Sequence, residues 1–185
     1  MSDRRLSWLE TATEELDELV GELLSYVRAE TAQPQFDREP IALRDVLDVL
    51  IPKHAALHPA IQFDVDEGVA DEPVIVAERA GLQRVLGNLL GNAGRFAQSR
   101  VTISTQATVG ATIVDIDDDG PGIPESERER VFQPFVRLQG NSPDRGVGLG
   151  LALVKRIVAQ HGGSVEALTC PLGGCRIRTT WPVRD

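Results

Sequence analysis

One helix followed by two glycine-bearing loops limits what this chain can fold into more than any other feature. The helical segment spans residues 83–96 and contains Asn-Leu-Leu-Gly-Asn-Ala at 88–93. The loops read Asp-Asp-Asp-Gly-Pro-Gly-Ile-Pro at 117–124 and Arg-Gly-Val-Gly-Leu-Gly-Leu at 145–151. No G-x-x-x-x-G-K-[ST] occurs, and the second loop lacks the spacing of G-x-G-x-x-G and follows a loop instead of a strand. The order therefore predicts a nucleotide site outside the two commonest nucleotide folds.

Length and charge limit the kinds of partner. The 185 residues can hold one sizeable core plus a smaller appendage. The net charge of -9 argues against nucleic acid or an anionic membrane surface as the main partner, because phosphate backbones attract Lys and Arg. The sequence has no apolar run near the roughly 20 residues of a membrane span and no signal peptide, so we expect a cytoplasmic location. Cys170 and Cys175 flank a Pro-Leu-Gly-Gly turn, where reduced structural thiols are favoured over a hairpin disulfide.

The hydrophobic pattern divides the chain into a lone helix and a mixed α/β region. Residues 7–29 open with a capping box and carry leucines near heptad spacing, so this helix is expected to pack on another helix; packing on its own sheet is the alternative. Residues 31–35 form a polar linker containing Pro34. The pattern then predicts strands at 36–41, 61–66, 74–76, 100–108 and 111–117, two further strands around 172–174, and helices at 43–57, 78–98 and 147–161. Pro52 predicts a kink or break in the first of these helices, and residues 120–145 form a long functional or mobile loop.

A polar stripe runs along the helix at 78–98. Arg84, Asn88, Asn92 and Arg95 follow one another at offsets of four, four and three, so they share one helix face. Two amide oxygens on one face can complete the oxygen shell of a Mg²⁺ that phosphates and water already hold, and Arg95 could reach the same phosphates. A solvated polar face is the alternative interpretation.

The strand at 111–117 leads into an acidic turn. Strict alternation places Val114, Ile116 and Asp118 on one side of the sheet, which is the apolar side. A semi-buried carboxylate needs hydrogen-bond donors, and the exocyclic amine of adenine would supply one. Gly120 and Gly122 would let a base approach the backbone. Solvated carboxylates in a β-turn are the alternative.

The glycine run at 146–150 opens the last predicted helix. Free backbone N–H groups and the helix dipole at such a terminus favour an anion. A flexible helix cap is the alternative interpretation.

Together these segments resemble the N, G1 and G2 boxes of sensor histidine kinases, which belong to the GHKL group with gyrase, Hsp90 and MutL. Val-Phe-Gln-Pro-Phe-Val-Arg at 131–137 resembles the F box of their ATP lid. The resemblance covers residues 36–181 and implies a two-layer α/β sandwich with a mixed sheet, the Bergerat-type ATP-binding fold, preceded by a helix of a dimerisation bundle. It divides the chain into a remnant of the dimerisation domain (1–30), a linker with the first strand (31–40) and a catalytic domain (41–185) whose lid spans about 120–146.

The resemblance also implies ATP and Mg²⁺ as cofactors and assigns roles to matching residues. Asn92 would be the chief Mg²⁺ ligand with Asn88 as its helper, and Asp118 would bind the adenine amine. The implied catalytic residues are Asn88, Arg95 and Arg137. The implied nucleotide-binding residues are Asn92, Phe96, Asp118, Gly120, Gly122, Ile123, Arg145, Gly146, Val147, Gly148, Leu149 and Gly150.

The implied function is transfer of the ATP γ-phosphoryl group to a histidine of a dimerisation domain, for relay to a response regulator. Asn88 occupies the position where ATP-hydrolysing members carry a general-base Glu, and an amide cannot accept that proton, so hydrolysis should be slow. His54, His58 and His161 do not fit the acceptor pattern, so the acceptor is expected outside this chain and the chain should not phosphorylate itself. The parent protein is expected to be a membrane-anchored homodimer with this module on the cytoplasmic side of the inner membrane.

Two other functions share these motifs. A GHKL protein-serine kinase of the anti-sigma-factor type has the same boxes but usually no dimerisation helix before them, so residues 7–29 favour the sensor kinase. A catalytically silent nucleotide-binding scaffold is disfavoured by the intact Asn92, Asp118 and glycine positions.

Overall fold

The computed structural model of the chain describes residues 37–66, 74–138 and 147–183, together with Gly21. The predicted dimerisation helix at 7–29 and the linker at 31–35 therefore lie outside the described residues, apart from Gly21. Among the residues described, no helix has the length and apolarity needed to cross a bilayer.

Three helices and seven strands make up the described fold. The helices are α1 (Leu43–Leu57), α2 (Arg79–Phe96) and α3 (Gly150–Gln160). The strands are β1 (Glu39–Ala42), β2 (Gln62–Val65), β3 (Val74–Ala77), β4 (Arg100–Ala107), β5 (Ala111–Asp118), β6 (Ser164–Thr169) and β7 (Cys175–Pro182). Five strands form a mixed sheet in the order β2-β4-β5-β7-β6, in which β2 and β4 are parallel and the other pairs antiparallel. β1 and β3 form a separate antiparallel pair. The predicted two-layer α/β sandwich with a mixed sheet is confirmed.

The core lies between the helices and one face of the sheet. Alternation along the strands and 3.6-residue periodicity along the helices direct apolar side chains to the same layer. The buried apolar residues of α2, α3 and the sheet include Leu82, Val85, Leu86, Leu89, Leu153, Val154, Ile157, Val101, Ile103, Val114, Ile116, Ile177 and Trp181. His161, directly after α3, connects the end of this helix to the core. Its Nε2 accepts a hydrogen bond from the backbone N–H of Glu78, and its ring packs edge-on against Trp181.

The other face of the sheet carries charged pairs instead of bare carboxylates. Asp115 and Asp117 of β5 lie opposite Arg178 and Arg176 of β7. Each arginine donates two hydrogen bonds of 2.7–2.8 Å to its aspartate. Asp115 and Asp117 are consequently only 7% and 6% exposed. β5 therefore buries carboxylates on both of its faces.

Two expectations about helices are corrected. Pro52 was predicted to kink or break the first helix, but no break occurs: α1 runs without interruption to Leu57, and Leu47 before the proline and His54 after it are both buried. The last helix begins at Gly150 instead of residue 147, since Gly148 has φ of +80°, which a helix cannot include. In addition, the loop at 120–145 contains two short 3₁₀ turns, Glu125–Glu127 and Arg130–Phe132.

Candidate functional site

A cleft of about 970 Å³ opens between α1, α2, the loop after β5 and the start of α3. This volume suits a ligand of nucleotide size. The predicted site residues that line it are Asn88, Asn92, Arg95, Phe96, Asp118, Gly122, Ile123, Arg137, Val147, Gly148 and Gly150. Segments far apart in the sequence are thus brought around one cavity.

Two predicted residues do not line the cleft, and two lie outside the described residues. Leu149 is 1% exposed, is buried as the N-cap residue of α3 and does not line the cleft. Gly120 lies behind Asp118, where it hydrogen-bonds the carboxylate and does not line the cavity. Arg145 and Gly146 fall outside the described residues.

The polar stripe of α2 faces the cleft. The side-chain amide of Asn88 donates to the Arg84 carbonyl at 2.8 Å, one turn back on the same helix. Its Oδ1 is directed toward the start of α3, where it would lie 2.9 Å from a Cβ at Gly150, and Asn92 Nδ2 would lie 3.8 Å from the same point. Glycine at position 150 therefore leaves room for the Asn88 side chain beside the start of α3.

The same stripe fits a divalent cation that arrives with a phosphorylated ligand. Amide oxygens are ligands that Mg²⁺ accepts, and Mg²⁺ usually keeps water and substrate phosphates in its shell. Within the described ranges, no group of three or more His, Cys, Asp or Glu side chains could hold a metal ion. Asn88 and Asn92 would consequently hold the ion only as part of a shell that phosphate oxygens complete.

Asp118, the last residue of β5, is 7% exposed and also lines the cleft. Its Oδ1 accepts the backbone N–H groups of Gly120 at 2.9 Å and Cys175 at 3.4 Å. Burial raises the pKa of Asp118 above its usual range, although these two hydrogen bonds oppose the effect. Both of these hydrogen bonds go to Oδ1, and Asp118 is part of the cleft lining. Oδ2 can therefore accept a hydrogen bond from a ligand.

The glycines of the first loop bring backbone against backbone. Gly122 has φ of +72°, and a Cβ there would lie 3.2 Å from the Gly174 carbonyl oxygen. Gly174, in the β6–β7 turn, is equally confined, since a Cβ would overlap the Asp118 carbonyl oxygen. The sequence showed the Gly-Gly pair at 173–174 only as a turn, because nothing local places that turn against β5.

The F-box segment is anchored to the glycine loop at its C-terminal end. Val131 and Phe132 are buried, whereas Phe135 is 62% exposed and has φ of +63°. The Phe135 N–H donates to the Gly148 carbonyl at 3.0 Å. A Cβ at Gly148 would lie 2.8 Å from the Val136 carbonyl oxygen, so the two segments touch through their backbones.

The lining is basic although the whole chain is acidic. Among the residues described, the basic side chains of the cleft are Lys53, Arg84, Arg95, Arg130 and Arg137, and the carboxylates are Asp118 and Glu127. A local excess of positive charge in a chain of net charge -9 favours an anionic ligand.

Two histidines, His54 in α1 and His58 directly after it, line the cleft, a position that the sequence did not predict. His54 and His58 lie one helical turn apart and pack against Gly91 and Gly94 of α2. Burial, followed by the nearby positive charges, lowers the pKa of each, so both imidazoles are neutral at physiological pH. The sequence did carry a sign of this contact: the two histidines are four residues apart, and α2 contains glycines, which allow helices to pack closely.

Residues 77–185 match the family described as histidine kinase-, DNA gyrase B- and HSP90-like ATPases. The chain belongs to this family. The resemblance to sensor histidine kinases is confirmed by individual relatives as well. Sensor protein RstB of Escherichia coli is 36% identical over 177 residues, which are 91% of this chain and 39% of RstB.

Solved structures agree with the sequence matches. The mycobacterial sensor histidine kinase MprB superposes with a TM-score of 0.71 at 30% identity, covering 80% of this chain and 99% of that one. Full-length ShkA, solved in complex with AMPPNP, superposes with a TM-score of 0.76 at 28% identity, covering 97% of this chain and 38% of ShkA. The chain spans less than half the length of the curated relatives it matches.

Proposed function

We propose that this chain is the ATP-binding catalytic module of a two-component sensor histidine kinase. In this function it transfers the γ-phosphoryl group of ATP to a histidine on a dimerisation domain, for relay to a response regulator. The observation that carries the proposal is that Asp118 and the Asn88–Asn92 stripe line one cleft, in a chain whose relatives are sensor histidine kinases.

The orientation of ATP follows from the chemistry at each end of the cleft. Asp118 Oδ2 accepts the adenine amine, and Gly122, Ile123 and Phe96 line the space for the base. The phosphates then lie toward α2 and the start of α3, where backbone N–H groups at a helix terminus favour anions. Arg95 and Arg137 line that part of the cavity and supply positive charge for the transferred phosphoryl group.

Magnesium would be held by Asn92 and Asn88 together with the phosphates. When bound, the ion neutralises charge that develops on the phosphoryl group. Asn88 also bears on the reaction class, because its amide cannot act as a general base toward water. The Asn88 amide is already engaged with the carbonyl of Arg84, so this residue is suited to positioning. Both features favour transfer to a protein acceptor over hydrolysis.

Two of the three histidines, His54 and His161, are poorly placed to accept a phosphoryl group. His161 has both ring nitrogens engaged, with Glu78 N–H and the Ile157 carbonyl, and is 3% exposed. His54 is 8% exposed and packs against Gly91. Neither can present a nitrogen to an incoming phosphoryl group, which supports an acceptor on a separate domain.

The arrangement of the parent protein is part of the same proposal. Residues 1–30 would be the second helix of the dimerisation domain, 31–40 the linker with the first strand, and 41–185 the catalytic domain with its lid at about 120–146. The coverage supports this division: MprB covers 80% of the chain with 99% of its own length, whereas the longer ShkA covers 97%. The parent would be a membrane-anchored homodimer with this module on the cytoplasmic side.

Labelling in trans tests the proposal. The chain is incubated with Mg-ATP carrying a labelled γ-phosphate, alone and with the dimerisation domain of its own parent kinase. We expect no label on the chain alone, and acid-labile label on the dimerisation domain, absent when its acceptor histidine is replaced by alanine. Alkali-labile label would indicate a serine kinase. No transfer with intact ATP binding would indicate a scaffold, and label on His54, His58 or His161 would refute the division of roles.

A further inference from the structure

The loop after β5 carries a second carboxylate, Asp119, which does not line the cleft. This side chain accepts the backbone N–H groups of Gln98 at 2.8 Å, Ser99 at 3.0 Å and Arg100 at 3.1 Å. It also accepts the Ser99 hydroxyl at 2.5 Å. We refer to this set of bonds from residues 98–100 to one carboxylate as the Asp119 clasp.

The clasp joins the segment between α2 and β4 to the loop that follows β5. A backbone bond runs the other way, from the Asp119 N–H to the Arg100 carbonyl at 3.3 Å. The Ser99 carbonyl in turn accepts the N–H of Gln62, which extends the connection to β2. Partial desolvation alone would raise the pKa of Asp119, but the hydrogen bonds from Ser99, Arg100 and Gln98 hold it well below its usual range. The Asp119 carboxylate of the clasp is therefore fully ionised at physiological pH.

The clasp fixes a contact that leads to Asp118. Phe96, the last residue of α2, lies two residues before Gln98, and its carbonyl oxygen is 2.5 Å from where a Cβ at Gly120 would be. The Gly120 N–H donates to Asp118 Oδ1 at 2.9 Å. The position of Gly120, and with it the orientation of the Asp118 carboxylate, thus depends on how closely the end of α2 is held to this loop.

We propose that Asp119 is a positioning residue for adenine recognition: it holds the end of α2 against Gly120, which aims the Asp118 carboxylate into the cleft. The inference rests on the proposed function, in which Asp118 accepts the adenine amine. Asp119 itself touches no ligand. It acts on specificity for the base, through Phe96 and Gly120.

Two substitutions at position 119 separate geometry from charge. Asp119→Ala removes every acceptor of the clasp. Asp119→Asn removes the same charge but keeps one oxygen for the backbone N–H groups, and its amide can donate to the Ser99 hydroxyl. Asp115→Ala is the matched control, because it too removes a hydrogen-bonded carboxylate, but one that lies in β5 on the face of the sheet away from the cleft.

The first measurement compares the Kd of ATP with that of inosine triphosphate, which lacks the 6-amino group. We expect Asp119→Ala to reduce the preference for ATP by about tenfold, the scale of one hydrogen bond to a charged group. Asp119→Asn should stay close to the wild-type preference, and so should Asp115→Ala. In an Asp118→Asn background, Asp119→Ala should change the preference little, since the two residues act in series.

The second measurement needs no nucleotide, so it remains valid if the proposed function is wrong. Amide NMR of the ligand-free protein should show that Asp119→Ala shifts the Gly120 N–H resonance and speeds the exchange of this proton with water. In Asp119→Asn, the resonance and the exchange rate should both stay close to those of the wild type. An unchanged Gly120 amide in Asp119→Ala would overturn the inference. It would also be overturned by an ATP preference that survives Asp119→Ala, or by one that Asp119→Asn reduces equally. If the wild-type protein binds no ATP, the proposed function fails and the amide measurement alone decides the positioning role.

Discussion

Replacing Asp118 by asparagine changes one acceptor into a donor at the point where adenine would be recognised. Asn Oδ1 can keep the hydrogen bonds from Gly120 and Cys175, because both go to a single oxygen of the carboxylate. The other oxygen becomes an NH₂ group that faces the adenine amine. The lost bond to a charged acceptor is worth about 1.5–3 kcal/mol, which weakens ATP binding by about 10- to 150-fold.

The same substitution should not weaken the ligand-free fold. Because burial raises the pKa of Asp118 above its unfolded value, its contribution to stability is fully present below the unfolded pKa. That contribution is lost as the pH rises through the folded pKa, so the wild-type protein carries a desolvated charge at neutral pH. Asparagine carries none. We therefore expect Asp118→Asn to unfold at the same temperature as the wild type or higher, while it binds ATP more weakly.

Titration calorimetry with ATP and with inosine triphosphate, together with thermal unfolding, measures both effects. The wild-type affinity for ATP should fall as acid protonates Asp118, and this pH dependence should disappear in Asp118→Asn. Asp117→Asn is the control, since Asp117 lies on the opposite face and pairs with Arg176 at 2.7 Å. That variant should lose about 1–2 kcal/mol of stability, allowing for the partial exposure of Arg176, and keep its preference for ATP. An ATP affinity of Asp118→Asn within threefold of wild type would refute the reasoning.

Three further predictions follow from the same region. Asn92→Ala should weaken Mg-ATP binding by about tenfold but leave the binding of metal-free ATP unchanged. Calorimetry with and without a chelator measures both affinities. Equal losses of affinity in the two conditions would contradict the assignment of Asn92 as a metal ligand. Gly174→Ala should reduce the free energy of unfolding by about 1–3 kcal/mol, because the new Cβ overlaps the Asp118 carbonyl. Gly110→Ala, at a position with open space around it, should leave the free energy of unfolding unchanged. Equal denaturant midpoints for Gly174→Ala and the wild type would exclude the overlap. Burial followed by the Asp118 charge raises the pKa of Cys175 to about 12, so iodoacetamide at pH 8 should modify it only after unfolding; rapid modification of the native protein, detected by mass spectrometry, would contradict this.

The cysteines show how far a local pattern reaches. Their spacing around a Pro-Leu-Gly-Gly turn left a disulfide and reduced thiols both open, and the structure has both thiols free and buried. Cys170 Sγ is directed at the Asp118 carbonyl at 3.2 Å, and the Cys175 N–H at the Asp118 carboxylate. Their surroundings depend on β5, more than fifty residues earlier, which the turn sequence cannot specify.

Asp118, by contrast, is a residue whose burial could be predicted from the local sequence pattern. Alternation of apolar residues along β5 placed Val114, Ile116 and Asp118 on the buried face, and all three are at most 7% exposed. A period of two residues is a property of the strand itself, so it can be read without knowing the fold. Asp115 and Asp117 lie on the other face of the strand and are buried as well, because two arginines of β7 pair with them.

The sequence by itself determined the helix–loop–loop order, the polar stripe on α2 and the buried side of β5, because each depends on periodicities of three to four or two residues. The tertiary structure alone decided that His54 and His58 line the cleft, that Gly120 lies against the Phe96 carbonyl, and that Asp119 accepts hydrogen bonds from residues 98–100. These contacts join segments about 20 to 40 residues apart. Backbones can approach that closely only where glycines remove side chains, and which glycines meet is set by strand order and helix packing, which no short window of sequence contains.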